Sequence, residues 1–128
     1  MSLPDFANAL AIASSGMKAQ ANRLRHVSEN IANTDTPGYR RKLVSFEQAF
    51  GESTVSTGPM TLDRTELRRV FDPAHPLADA SGYYDGSNVD LLLEIADARE
   101  AQRSYEANLK MFDQVRQMST ALMDLLRN

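Results

Sequence analysis

The 128-residue chain has no cysteine, no tryptophan and only two histidines. Without cysteine there is no disulfide framework and no thiolate metal site. No apolar run approaches the roughly 18 residues of a membrane span. The opening MSLPDFANALAIASSG lacks the basic n-region of a cleaved signal peptide, which leaves another export route or none. Net charge is −3 and spread along the chain. With no basic face and no aromatic-rich basic run, nucleic-acid binding is excluded as a reading. There is no nucleophile elbow, no phosphate loop and no paired-ligand spacing, so nothing points to an enzyme or to a cofactor.

Glycine and proline are also absent from Val89 to Arg127, and there the absence is informative. Small or apolar residues recur every seven at Leu91, Ala98, Tyr105, Phe112, Ser119 and Leu126. A second row follows at Ile95, Ala101, Leu109, Val115, Leu122 and Met123. That spacing is one face of an α-helix or coiled-coil strand. Charge follows the helix dipole, with five acids and two arginines over 90–106 against three cations and two acids over 107–128. Ser87 or Asn88 is the expected N-cap, with Asp90 in the first turn. Such a helix runs about 55–60 Å, whereas a compact domain of this mass is only about 30 Å across. It needs company.

A second periodic segment spans residues 4–33. Leu3, Leu10, Met17, Leu24 and Ile31 fall at seven-residue intervals; Phe6, Ala13 and Val27 lie three later, with Gln20 as the exception. Ala7, Ser14, Ala21 and Ser28 form a small row beside the large one. Gly16, in mid-helix, costs about 1 kcal/mol relative to alanine, and its expected role is a close helix–helix contact. Thr36-Pro37-Gly38 then supplies type II turn chemistry. The next residues, Arg40-Arg41-Lys42, are read as a loop meeting an acidic neighbour rather than a phosphate site. Residues 47–58 read as a polar loop, and 59–71 as a short β-hairpin or irregular arm. In 72–84, Asp72, His75 and Asp79 are conceivable metal ligands. Two prolines preclude a regular helical presentation, and His75 is instead expected to pin the loop against a helix.

Ser15-Gly16-Met17-Lys18-Ala19-Gln20, followed by Ser28-Glu29-Asn30-Ile31-Ala32-Asn33-Thr34-Asp35-Thr36-Pro37-Gly38-Tyr39, resembles the N-terminal signature of the bacterial flagellar axial proteins. That family comprises the rod, hook and hook–filament junction subunits. The Asp72-to-Tyr83 stretch, Asn88-Val89-Asp90 and the run Arg103 to Asn108 resemble its proximal rod members, although Ala74 and Ser87 stand where those members more often have Gly and Pro. The resemblance implies a non-catalytic subunit exported through the flagellar type III apparatus without signal cleavage, in the basal body where the rod crosses the periplasmic space. Implied partners are other copies of the chain, the rod proteins FlgB, FlgF and FlgG, and the adaptor FliE. A FlgB-type or other rod subunit is the nearest alternative. A helical adaptor or chaperone binding partner helices is the alternative of another class.

The expected fold is therefore mostly α: two long amphipathic terminal helices packed as a coiled-coil-like pair, with a short irregular or β middle segment. The divisions fall at 1–36, 37–88 and 89–128 within one structural domain. The expected assembly surface comprises Leu10, Met17, Leu24, Asn30, Ile31, Asn33, Tyr39, Asn88, Tyr105, Asn108, Leu109, Phe112, Val115, Leu122 and Met123. Both helices are expected to gain order on assembly, because the pair has too few large residues to bury everything itself.

Overall fold

A computed structural model of the chain describes residues 2–48 and 53–128. Helix α1 spans Leu3–Ala32, 30 residues. Its start is a reciprocal capping box: the Ser2 hydroxyl accepts from Asp5 N at 3.3 Å, and the Asp5 carboxylate accepts from Ser2 N at 3.0 Å. Pro4 sits in the first turn, where its missing N–H costs nothing. After Asn33 the chain turns through Gly38, at φ 75°, a conformation that favours glycine. Helix α2 spans Leu91–Arg127, 37 residues. Its N-cap is Asp90, whose carboxylate accepts from Leu92 N at 3.1 Å. Ser87 and Asn88, the caps expected from sequence, are occupied elsewhere.

The helices run antiparallel. Gly16 faces Asn108, the Arg23 guanidinium reaches Asp97 at 2.6 Å, and Asn30 meets Glu94 at 3.3 Å. Three residues seven apart on α1 thus fix the register through polar or backbone contacts. The surplus length of α2 falls at its C-terminal end, where Leu125 and Leu126 are largely exposed.

Among the described residues the middle segment holds three separate two-stranded antiparallel ladders. Strand β1 (Lys42–Leu43) pairs with β4 (Thr61–Leu62), β2 (Phe46–Gln48) with β3 (Val55–Thr57), and β5 (Arg69–Phe71) with β6 (Tyr83–Asp85). The loop expected at 47–58 therefore contains paired strands, its residues 49–52 lying outside the described part. The stretch 59–71 contributes strands to two different ladders rather than forming its own hairpin. Each strand is two or three residues long, too short to produce a legible alternation. The β2–β3 pair lies along α1: Asn22 Nδ2 donates to Thr57 Oγ1 at 2.6 Å, and Val55 N donates to Ser15 Oγ at 3.0 Å. Arg23 also sits over the Phe46 ring.

The core is thin. Among the described residues its buried apolar members are Phe6, Ala13, Ala19, Val27, Val89, Ala101 and Val115, one of them aromatic. On α1 the innermost row is Phe6, Ala13 and Val27, not the Leu3-to-Ile31 row, whose members are half-buried or exposed. Small side chains at the closest positions let the helices approach, and the larger ones straddle the contact from either side.

Gly16 is where this approach is tightest. A Cβ there would lie 2.6 Å from Asn108 Oδ1 and 2.8 Å from its Cγ, and Asn108 is held by a bond from Nδ2 to Ser104 O at 2.8 Å. Gly16→Ala is accordingly expected to lower stability by about 1–3 kcal/mol through overpacking, although alanine is the better helix former. Gly16→Ala combined with Asn108→Ala should recover most of that loss, measured by urea unfolding.

Candidate functional site

The closed end of the helix pair is a polar clasp. Asn30, 1% exposed, makes four bonds. Its Oδ1 accepts from Tyr39 Oη and from Lys42 N, both at 2.8 Å; its Nδ2 donates to Lys42 O at 3.0 Å and to Glu94 Oε2 at 3.3 Å. Glu94 has no solvent exposure, and its other oxygen accepts from Arg41 Nε at 2.6 Å. Arg41 Nη1 continues to Asp63 at 3.3 Å. Burial works against its charge, but the Glu94 and Asp63 carboxylates outweigh that and raise its pKa above the ordinary value. Burial likewise pushes the Tyr39 phenol up, preserving the proton it donates to Asn30.

A second layer ties in the turn that leads to α2. Asn88 Oδ1 accepts from Arg41 N at 2.7 Å, while its Nδ2 donates to Asp63 O at 3.0 Å. Ser87 Oγ donates to Thr34 O, and Arg68 donates to Val89 O at 2.7 Å. Asn33 Nδ2 donates to Glu29 O, closing the end of α1. The basic run Arg40-Arg41-Lys42 meets acidic or carbonyl partners within its own chain. Arg40 donates to the carbonyls of Asp63 and Thr65, and Lys42 pairs with Glu29.

The Asp72–Tyr83 loop is a rigid turn. His75 Nδ1 accepts from Leu77 N, and its ring stacks 3.9 Å from Tyr84 of β6; it therefore braces the loop against a strand, not a helix as expected. Asp79 accepts from Ser81 N, Tyr83 N and Arg69, and these bonds hold its carboxyl below the ordinary value, the Tyr83 bond most. Among the described residues no group of His, Asp and Glu is placed to hold a metal ion.

The sequence-expected surface divides three ways. Asn30 and Val115 are buried inside the chain, and Asn33, Tyr39 and Asn88 spend their polar atoms on the clasp. Leu10, Met17, Leu24, Tyr105, Asn108, Phe112 and Leu122 are half-buried along the helix–helix seam. Ile31, Leu109 and Met123 remain exposed. Met111 and Met118, outside the sequence-expected surface, are exposed as well. With Ser104 and Leu125 they form a row spaced by seven, a signal present in the sequence beside the two rows chosen. Ile12 and Met111 stand on either side of a groove floored by Ala9, Ala13 and Ala107. Leu109 and Met111 are two residues apart, hence about 200° apart round the helix, so the hairpin has two distinct apolar flanks. A third apolar cluster, Leu91-Leu92-Leu93, lies at the closed end.

A clasped antiparallel hairpin with open apolar flanks has the form of a structural subunit. Residues 10–40 match the family described as "Flagella basal body rod protein", and residues 80–125 that described as "Flagellar basal body rod FlgEFG protein C-terminal". The chain is 43% identical to the flagellar basal-body rod protein FlgC of Agrobacterium fabrum over 91% of each chain. It is 34% identical to that of Salmonella typhimurium and 32% identical to that of Bacillus subtilis, each over 92% of this chain and 96% of the relative. The chain belongs to the FlgC family of flagellar basal-body rod proteins.

Truncating Arg41 leaves the buried Glu94 carboxylate with only the Asn30 amide, and truncating Glu94 leaves Arg41 with Asp63 alone. Arg41→Ala or Glu94→Ala should each cost about 3–5 kcal/mol, and a double replacement by leucine or methionine should cost less than the two single losses together, read by a double-mutant cycle in urea. The clasp should also weaken in acid. The Lys42 bond lowers the Glu29 pKa from its ordinary 4.5, and the Thr65 bonds, followed by Arg41, lower that of Asp63 from 3.8. A depressed carboxylate stabilises the fold above its unfolded value and loses that contribution as pH falls through its folded one. Melting temperature should therefore fall below about pH 4.5, less steeply in a Glu29→Gln, Asp63→Asn variant.

Proposed function

We propose that this chain is a non-catalytic subunit of the flagellar proximal rod, the shaft that carries torque from the rotor to the distal rod and hook. The observation that carries this reading is that the polar closed end is bonded within the chain while two apolar flanks stay open along the helices. Contiguous open apolar surface on a folded chain marks a protein interface. A helical tube supplies such a surface with neighbours at every position.

On this reading the segments 1–36 and 89–128 build the tube, and 37–88 joins them and supplies the outer face. Other copies, FlgB, FlgF, FlgG and FliE are the neighbours, and the periplasmic space is the setting. Export proceeds through the flagellar type III apparatus, without signal cleavage. No helix among the described residues is long and apolar enough to cross a membrane, which accords with a subunit held by protein contacts. The open-end turns of both helices gain order when neighbours cover them.

Mass spectrometry of basal bodies purified from the source cell, with a rod-less export mutant as control, tests the placement. The chain is expected in the first preparation and absent from the second; recovery only from the cytosol would favour the adaptor reading. Leu109→Asp or Phe112→Asp should abolish rod assembly and swimming in a complementation assay, because each puts a charge into a covered face. A motile strain carrying either change would contradict this.

A further inference from the structure

Peroxide has few targets in this chain. With no cysteine and no tryptophan, the methionine thioether is the most readily oxidised side chain left. The fold sorts its methionines into two kinds. Met17 is half-buried along the helix–helix seam, whereas Met60, Met111, Met118 and Met123 are 42 to 54% exposed. Met111 and Met118 stand seven residues apart on one flank of α2. Met111 also walls the groove lined by Ala9, Ile12 and Ala107.

We propose that Met111 and Met118 are an oxidation-sensitive modification site, at which hydrogen peroxide forms sulfoxides in the free subunit and thereby blocks its assembly. The effect rests on the assembly reading above, whichever neighbour covers that flank. In the reaction the sulfur lone pair attacks one peroxide oxygen, and an S–O bond forms as the O–O bond breaks. The departing hydroxide takes the proton from the S–OH intermediate and leaves as water. Sulfur loses two electrons and the peroxide gains them.

Solvent decides what the modification does. In the free subunit a sulfoxide oxygen at 111 or 118 faces water, so the fold itself loses nothing. Once a neighbour excludes water, that oxygen needs a donor. The polar side chains lining the groove beside Met111 are Ser104 and Asn108, and Asn108 Nδ2 already donates to Ser104 O at 2.8 Å. The rest of the groove is aliphatic. Met17 differs, because a sulfoxide in the seam disturbs the packing of the subunit itself. The covering that makes a sulfoxide unfavourable at 111 and 118 also shields the thioethers afterwards. A subunit is therefore vulnerable only before it is built in.

Two measurements test this. In the first, the purified free chain and intact basal bodies receive the same dose of hydrogen peroxide, and sulfoxide is mapped by peptide mass spectrometry. In the free chain Met111 and Met118 should oxidise as fast as Met60 and well ahead of Met17. In basal bodies they should oxidise about tenfold more slowly than in the free chain. In the second, Met111→Gln with Met118→Gln supplies a polar side chain of similar length. That variant should keep the melting temperature of the free chain while its recovery in basal bodies falls about tenfold or more, the effect of burying a polar group without a partner. Met111→Leu with Met118→Leu keeps the apolar volume. It should assemble like the parent, and continue to assemble in sublethal peroxide that depletes the parent chain from new basal bodies. Unslowed oxidation in basal bodies, full incorporation of the glutamine variant, or equal peroxide sensitivity of the leucine variant and the parent would each overturn the proposal and leave the rod reading standing. Absence of the parent chain itself from basal bodies would overturn both.

Discussion

A carboxylate with no access to water constrains this fold more than any other group. Glu94 cannot be left unpaired, since a buried charge without a partner costs several kcal/mol. Arg41 and Asn30 therefore have to face it wherever α2 is docked. Arg41 belongs to the turn after α1, Asn30 to the last turn of α1, and Glu94 to the first full turn of α2. One charge thus ties three segments of the chain at one end of the molecule. Asn88 and Ser87 extend the tie into the loop that feeds α2, which leaves Asp90 to cap the helix.

With the closed end fixed by polar bonds, the seam needs little apolar mass. Alanines at 13 and 101 and the bare backbone at Gly16 bring the helices close, and Asn108 fills the space opposite the glycine. The larger side chains cannot fit between helices at that spacing and turn outward. The same choice that makes the subunit narrow leaves apolar rows on both flanks. The narrow seam and the exposed apolar surface along the helices thus have one cause.

Much of this was legible in the sequence. Seven-residue rows and the absence of glycine and proline from 89–127 gave both helices and their ends to within two residues. Gly38 marked the turn, and a glycine inside a periodic helix marked the close contact. The clasp was not legible in the same way: that Asn30 faces Glu94, 64 positions away, depends on which sides of the helices meet. Periodicity proposes several rows without ranking them, so it does not tell the exposed Met111 and Met118 from the buried Val115. Ser87 and Asn88 have the chemistry of caps, and the tertiary partners that claim them are remote in sequence. The ladders of two or three residues leave no pattern to read.

With Glu94 and its partners at the closed end, order is expected to be greatest at the clasp and to decrease toward the open end. Hydrogen exchange on the purified free subunit tests it most directly. The slowest amides should be those of residues 26–32, Lys42 and 94–101. Protection should fall steadily toward Leu3–Ala13 and Val115–Leu126. Slowest exchange at the open end, or uniform protection along both helices, would show that the clasp does not anchor the fold.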